Sequence, residues 1–434
     1  MNDKRYVVLG LAHVRSSWFT EVARWSTSGS IPVEFVKCIS VEELRARARS
    51  GRPFSAALLD AVLPAVDRDL IAQLRRENIP TIVVADAADT INWTTLGVRT
   101  ILLPPLERAA LLDALATHAR LIGPVDGPEA TDVGPVLPPA WLARLVAITS
   151  CGGAGGSSLA AATAQHLADD PRNGSGVVLA DFAHRAHQAL LHDARDVVPG
   201  VQELTDAHRS KRATSEQVRS LCFDVPARGY RLLIGLRRPS DWVSLRSQAF
   251  EAGLEGLRST ARVVVADVDP DVEGEAATGS FDVEDRNLMA RATLRRADLV
   301  AVVVTPTLTG LQGLASTIDD LRAFGVPGGR IVAVLNRAPR SPRARAELTR
   351  SIANLTGATE RSDPHVGPVF VPERRGIEMQ HRDLGRFPRA FATPLGLAAT
   401  TLLERLPARS DDDPPQSVVP GSLGSWNDDV EGAS

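Results

Sequence analysis

The chain predicts an α/β protein built from two doubly wound, parallel-sheet domains, and three observations carry that prediction. Short apolar strands alternate with amphipathic helices from residue 6 onward. Most strands are unbroken Val/Ile/Leu/Ala runs, the pattern of strands buried on both faces. At Val146-Ala-Ile-Thr-Ser-Cys-Gly-Gly-Ala-Gly-Gly-Ser-Ser-Leu159 one such strand enters a glycine-rich turn that opens into an alanine-rich helix. Units of this kind place ligands beyond the carboxyl end of a parallel strand.

The first region, residues 1–121, has strands expected at Tyr6–Leu11, Ala56–Leu59 (ending at Asp60), Thr81–Ala85 and Thr100–Leu103, with helices at Val41–Arg49, Asp67–Glu77 and Arg108–Leu121. Residues 122–140 carry Pro124, Pro128, Pro135, Pro138 and Pro139 with Gly123, Gly127 and Gly134, and read as a linker. The second region, 141–407, has strands expected at Leu145–Thr149, Val177–Ala180, Arg231–Ile234, Val263–Ala266, Leu299–Val304, Ile331–Leu335 and Val369–Val371, and a last helix near Pro394–Arg405. Residues 408–434, with Asp411-Asp-Asp-Pro-Pro and Asn427-Asp-Asp, are expected to form a disordered acidic tail.

Bulk composition narrows the classes. The chain has 434 residues, 44% hydrophobic and 23% charged, which is ordinary for a globular protein of two or three domains. A formal net charge of −3 gives no global pull toward nucleic acid or anionic lipid. Cys38, Cys151 and Cys222 are odd in number and widely spaced, which argues for a reducing compartment rather than a disulfide framework or a zinc site. The amino terminus lacks a signal-peptide shape, and no apolar run approaches the length of a membrane span. A cytoplasmic location is expected.

The glycine-rich turn is the most informative segment. Glycines let backbone N–H groups curl around phosphate oxygens, and a helix amino terminus adds a positive dipole end. The pattern G-x-x-x-x-G-K-[ST] would place its first glycine at Ser150 and its lysine at Gly156. The turn therefore keeps a cradle and lacks the charge that reaches the outer phosphates. A flexible strand-to-helix turn without ligand is the plainer reading of the same residues.

The first region resembles the receiver domain of response regulators, with Asp60 at the end of the third expected strand where that family carries its phosphoacceptor. The resemblance is incomplete. Leu11-Ala12-His13 stands where the family has an acidic pair, and Pro104 stands where it has a lysine. The region reads as a pseudo-receiver, and Asp60 is a possible phosphoacceptor that can equally be a plain strand-end aspartate.

From Leu145 to about Leu406 the chain resembles the MinD/ParA group of P-loop ATPases, and within it the CpaE/TadZ-like proteins, which join a pseudo-receiver to a MinD-like domain. The family loop K-G-G-x-G-K-[ST]-[ST] reads here Cys151-Gly152-Gly153-Ala154-Gly155-Gly156-Ser157-Ser158, so both lysines are absent. The resemblance implies Mg²⁺ ligation by Ser157, phosphate contact by Ser158, and a Mg²⁺ shell completed by Asp181 and Asp267. The family's D-x-D appears as Asp181-Phe182-Ala183, without its second acid. Asn336-Arg337 matches the pair whose asparagine reads adenine, and Pro372 sits where the family packs the base. ATP and Mg²⁺ are the implied cofactors.

Other candidates are weaker. His184, His187 and His192 could mimic a metal cluster, but solvated helix histidines are commoner. The basic clusters 208–212 and 340–345 are short and lack interleaved aromatics, so nucleic-acid binding is not expected. The acidic tail after the last helix disfavours direct membrane binding. Cys151 at a helix amino terminus could be a reactive thiol, with no partner cysteine nearby in sequence.

The resemblance implies a spatial regulator acting in septum site determination or in Tad/Flp-type pilus or secretion assembly, dimerising, recruited to pole or septum, and hydrolysing ATP weakly or not at all. Two alternatives stand beside it. One is an active ATPase whose Arg337 or another basic residue replaces the lysines. The other is a signalling output module switched at Asp60.

Overall fold

The computed structural model describes residues 5–50, 52–122, 142–194, 199–358 and 362–406. The expected acidic tail, and the expected linker apart from Ile122, lie outside the described residues.

The first sheet contains β1 (Tyr6–Leu11), β2 (Val33–Cys38), β3 (Ala56–Asp60), β4 (Thr81–Val84) and β5 (Thr100–Leu102). Its order is β2-β1-β3-β4-β5 with every pairing parallel, the flavodoxin-like doubly wound order. Helices α1 (Ser17–Thr27), α2 (Val41–Ala48), α3 (Arg68–Arg76), α4 (Trp93–Leu96) and α5 (Arg108–His118) connect the strands. Successive strand residues point to opposite faces, so Leu9 and Leu59 join Leu44, Leu70 and Trp93 in one core. Val8 and Leu58 join Trp18, Ile82 and Leu115 in the other. The sequence did not announce β2, α1 or α4. β2 is an edge strand whose Val-Glu-Phe-Val-Lys-Cys breaks the apolar run, and α1 is rich in aromatic and β-branched residues that favour helix weakly.

The second sheet holds β6 (Arg144–Ser150), β7 (Val177–Phe182), β8 (Phe223–Val225), β9 (Tyr230–Leu233), β10 (Val263–Val268), β11 (Leu299–Val304), β12 (Ile331–Ala338) and β13 (Val366–Pro372). Their order is β13-β12-β11-β6-β10-β7-β9-β8, parallel except for the antiparallel edge strand β8. Strands β7 to β10 lie on one side of β6 and β11 to β13 on the other. β6 is thus the topological switch point, where parallel sheets open a crevice at their carboxyl edge. Helix α6 (Gly156–Ala168) leaves that edge and is buried along most of its length.

The last helix runs Arg389–Glu404, so Pro394 lies inside it rather than at its start. Phe391, Ala392, Leu395 and Ala399 are buried in the core that also holds α6, and burying that apolar face outweighs the one backbone hydrogen bond a proline removes.

The two sheets are tied through α3. Asp69 accepts from the backbone N–H groups of Gln248 (2.8 Å) and Ala249 (3.2 Å) and from Ser247 Oγ (3.2 Å). These are the first residues of the helix Ser247–Arg258, whose own N-cap residue, Arg246, supplies no side-chain cap. The missing cap is delivered from the other sheet's helix. Arg68 adds backbone N–H and side-chain Nε bonds to the carbonyls of Arg209 and His208, both 2.9 Å, and Asp67 pairs with Arg209 at 3.2 Å.

Candidate functional site

β6 ends at Ser150 and the chain turns through Gly152, Gly153 and Gly155, all with left-handed φ, before α6 begins at Gly156. At Gly155 (φ +89°) a Cβ would stand 2.7 Å from Asn336 Nδ2, so glycine is required there both by conformation and by space. Asn336 Nδ2 donates to Ala154 O at 2.8 Å, and its Oδ1 accepts from Arg337 N at 2.9 Å. The asparagine expected to read a base is buried and braces the loop. The backbone N–H groups of Gly156 to Ser158, in the first turn of α6, have no intrahelical i→i−4 partner. Unsatisfied N–H groups at a helix amino terminus form a cradle suited to a phosphate group.

The lysine position is closed by a reciprocal change. A Cβ on Gly156 would lie 2.6 Å from Ser150 Oγ and 2.7 Å from Ser150 Cβ. The residue standing where the pattern has glycine fills the space from which its lysine would rise.

Ser157 and the two acids meet at one point. Asp181 and Asp267 are directly opposite in adjacent parallel strands, and both are buried. Asp181 accepts from Ala183 N (3.3 Å) and Gln188 N (2.8 Å). Asp267 accepts from Gln188 Nε2 (2.8 Å), and the Ser157 hydroxyl lies near enough to favour its ionised form. Burial, followed by the charge of Asp267, pushes Asp181 well above the usual carboxylate range. Burial pushes Asp267 up to about 6, against the opposing hydrogen bonds from Ser157 and Gln188.

These raised values set a pH dependence. The stability held by the protonated acids is complete below their ordinary range and is lost as pH rises through the folded value near 6. Asp267→Asn should therefore melt above wild type at pH 7.5, by on the order of 2 kcal/mol. The gap should close by pH 4, and thermal melts across pH 4–8 check this.

The hydroxyl of Ser158 pairs with His381 Nε2 at 2.9 Å. Behind it lies a buried network around Arg228, which is fully buried and donates to Gly385 O (3.0 Å) and Gln380 O (2.7 Å) with its guanidinium over the Phe387 ring. His192 meets Tyr230 Oη at 2.7 Å, Arg228 Nη1 at 3.1 Å and Gln188 O at 2.8 Å. Burial first, with help from Arg228, lowers His192 and His381 to about 4, so both are neutral at pH 7. His192 is a structural element here. Among the described residues no group of three His, Cys, Asp or Glu side chains is arranged to hold a metal ion.

On the β12–β13 side of the loop lies a cleft of about 1050 Å³ lined by Arg337, Arg340, Arg374 and Arg375 with Pro306 and Glu347. Pro372 is half-buried at the end of β13. Cys151 Sγ lies 3.4 Å from Thr317 Oγ1.

Asp60 is buried at the end of β3 and accepts from His13 N (3.1 Å), Val62 N (3.1 Å) and the Ser16 hydroxyl. Both its oxygens hold the loops above it. Those loops present Val14 and Val62 to solvent, and the turn after β2 presents Ile39.

The cradle fits a phosphate group. The cation seat does not fit as arranged: Ser157, Asp181 and Asp267 are the hard oxygen donors Mg²⁺ favours, but Gln188 and Ser157 donate protons into the acids where a cation would bind. Sequence reasoning did not find Gln188, Ser150, His381 or Arg228. Only Ser150 had a signal, as the counterpart of Gly156 in the loop pattern.

Fold and site together define an α/β domain with a glycine-rich strand-to-helix turn at the switch point of a parallel sheet. No protein-family model and no curated protein matches the chain. Among solved structures it is similar to a ParA family ATPase from Chlorobium tepidum TLS, at 16% identity over 59% of this chain and 98% of that one, TM-score 0.47. It is also similar to the septum site-determining protein MinD complexed with Mg-ADP from Pyrococcus horikoshii OT3, at 15% identity over 60% and 98%, TM-score 0.42. A third is the MinC:MinD cell division protein complex from Aquifex aeolicus, at 15% over 62% and 98%, TM-score 0.44. Likenesses of this size say nothing of activity.

Proposed function

We propose that the chain is a spatial regulator whose second domain binds an adenine nucleotide weakly and turns it over slowly or not at all. Occupancy of the cradle would control pairing with a second copy and with protein partners. The process, septum site determination or Tad/Flp-type pilus or secretion assembly, comes from the sequence resemblance. The observation that carries the binding-without-turnover reading is the Ser150–Gly156 exchange, which keeps the cradle and removes the lysine together with its space.

Phosphoryl transfer depends on positioning and on neutralising charge in the transition state. Here two lysines are missing, Ala183 replaces an acid, and the cation seat is filled by an amide. The chain's own residues bind and orient a phosphate through backbone N–H groups, and Asn336 keeps the loop in shape. No described helix is long and apolar enough to cross a membrane.

The active-ATPase alternative is favoured by one observation, the four arginines lining the cleft beside the loop. Phosphate release separates the two. The regulator reading expects wild type and Asp267→Ala to release phosphate at the same rate, near background. Turnover of order 1 s⁻¹ or faster that Asp267→Ala abolishes would establish the enzyme instead.

A further inference from the structure

We infer that Gln188 is a built-in substitute for a divalent cation, closing the seat formed by Ser157 and Asp267. Gln188 is fully buried at the start of the short helix Gln188–Leu191. Its side-chain Nε2 donates to Asp267 Oδ2 at 2.8 Å and to the main-chain O of Ser157 at 3.0 Å, so one hydrogen of the amide enters the seat and the other anchors the amide on the Ser157 carbonyl. Its backbone N–H meets Asp181 at 2.8 Å. One residue thus supplies donors to both acids.

The oxygen of the same amide shows which way the side chain is held. Gln188 Oε1 is buried and has no partner among the described residues. Turning the amide over would press that oxygen against Ser157 O and Asp267 Oδ2, which are both acceptors. The unpartnered oxygen is the consequence of keeping the NH2 group aimed at the acid. The residue is also fixed from behind, because His192 Nδ1 meets Gln188 O at 2.8 Å and His192 is itself locked by Tyr230 and Arg228. An amide NH2 group has no lone pair to offer a cation, and its hydrogen on Asp267 Oδ2 occupies a lone pair the cation needs. The ligand excluded is a hard, oxygen-seeking divalent ion of the Mg²⁺ or Mn²⁺ kind.

The inference takes the location of the seat from the proposed phosphate site, but its test uses the metal alone and stands apart from nucleotide binding. Mn²⁺ is titrated into the full chain without nucleotide at pH 7.5, read by the electron paramagnetic resonance signal of free Mn²⁺. The variants are Gln188→Ala, Gln188→Met and Gln188→Ala/Asp267→Asn. Gln188→Met keeps the volume filled should the alanine variant fail to fold. The expected result is one site that tightens about ten- to a hundredfold over wild type when the amide is removed, the range of one charge-assisted hydrogen bond. That gain should disappear in the double variant. Wild type binding Mn²⁺ as tightly as the single variants, or no binding gained in either, would overturn the inference.

Discussion

Lysine placed at Gly156 alone should not restore a working phosphate loop, whereas the pair Ser150→Gly/Gly156→Lys should raise ATP affinity about ten- to a hundredfold. A Cβ at residue 156 meets Ser150 Oγ at 2.6 Å and Ser150 Cβ at 2.7 Å. Ser150 is the last residue of β6, so its Cβ is fixed by the strand and cannot swing aside as the end of a long side chain can. The single variant is overpacked and should lose about 1–3 kcal/mol of stability. Removing the serine side chain first opens the space and lets the ammonium group reach the cradle. Calorimetry with ATP and urea melts of the three proteins test both halves. Full recovery of affinity by the single variant would show that Ser150 is no obstacle.

Asp69→Ala should have the second large effect, a loss of about 2–4 kcal/mol in the unfolding free energy of the chain. It should also split one unfolding transition into two. The Asp69 carboxyl receives three donors at the amino terminus of the helix Ser247–Arg258. Those N–H groups have no other side-chain cap, and the site is buried. Burial pushes this carboxyl upward while the N–H groups of Gln248 and Ala249 and the Ser247 hydroxyl pull it down. Truncation leaves the helix end unsatisfied and removes three of the hydrogen bonds that link the sheets. Urea melts followed by circular dichroism would show whether unfolding proceeds in one transition or in two. Coincident transitions with a change under about 0.5 kcal/mol would mean the Asp69 cap is not what couples the two domains.

Much of this was legible in the chain. Parallel strands buried on both faces, such as Leu299–Val304, announce themselves as unbroken aliphatic runs, and their predicted and observed bounds agree. The loop was legible because glycine is demanded by backbone conformation, a local property. Edge strands were not: β8, three residues long and antiparallel, lacks both length and pattern. The site's closure was hidden for a different reason. Gln188 reaches Asp267 across 79 residues and His381 reaches Ser158 across 223, and no local spacing encodes such pairings. The cap from Asp69 is likewise invisible, since a helix capped by a distant aspartate lacks the local signature that Ser40 gives α2. Asn336 was read from the resemblance as the residue that meets adenine, and its contact with Ala154 could be known only from the fold.

The most direct test of the account is a calorimetric titration of the full chain with ATP, run once with Mg²⁺ and once with a chelator. A cradle without lysine and with its cation seat closed predicts one weak site, sub-millimolar in affinity and equal in both conditions. Asn336→Ala, which releases the loop, should weaken it further. No binding at millimolar ATP would show that the glycine turn is not a phosphate site, and tight binding that requires Mg²⁺ would show that the seat is open.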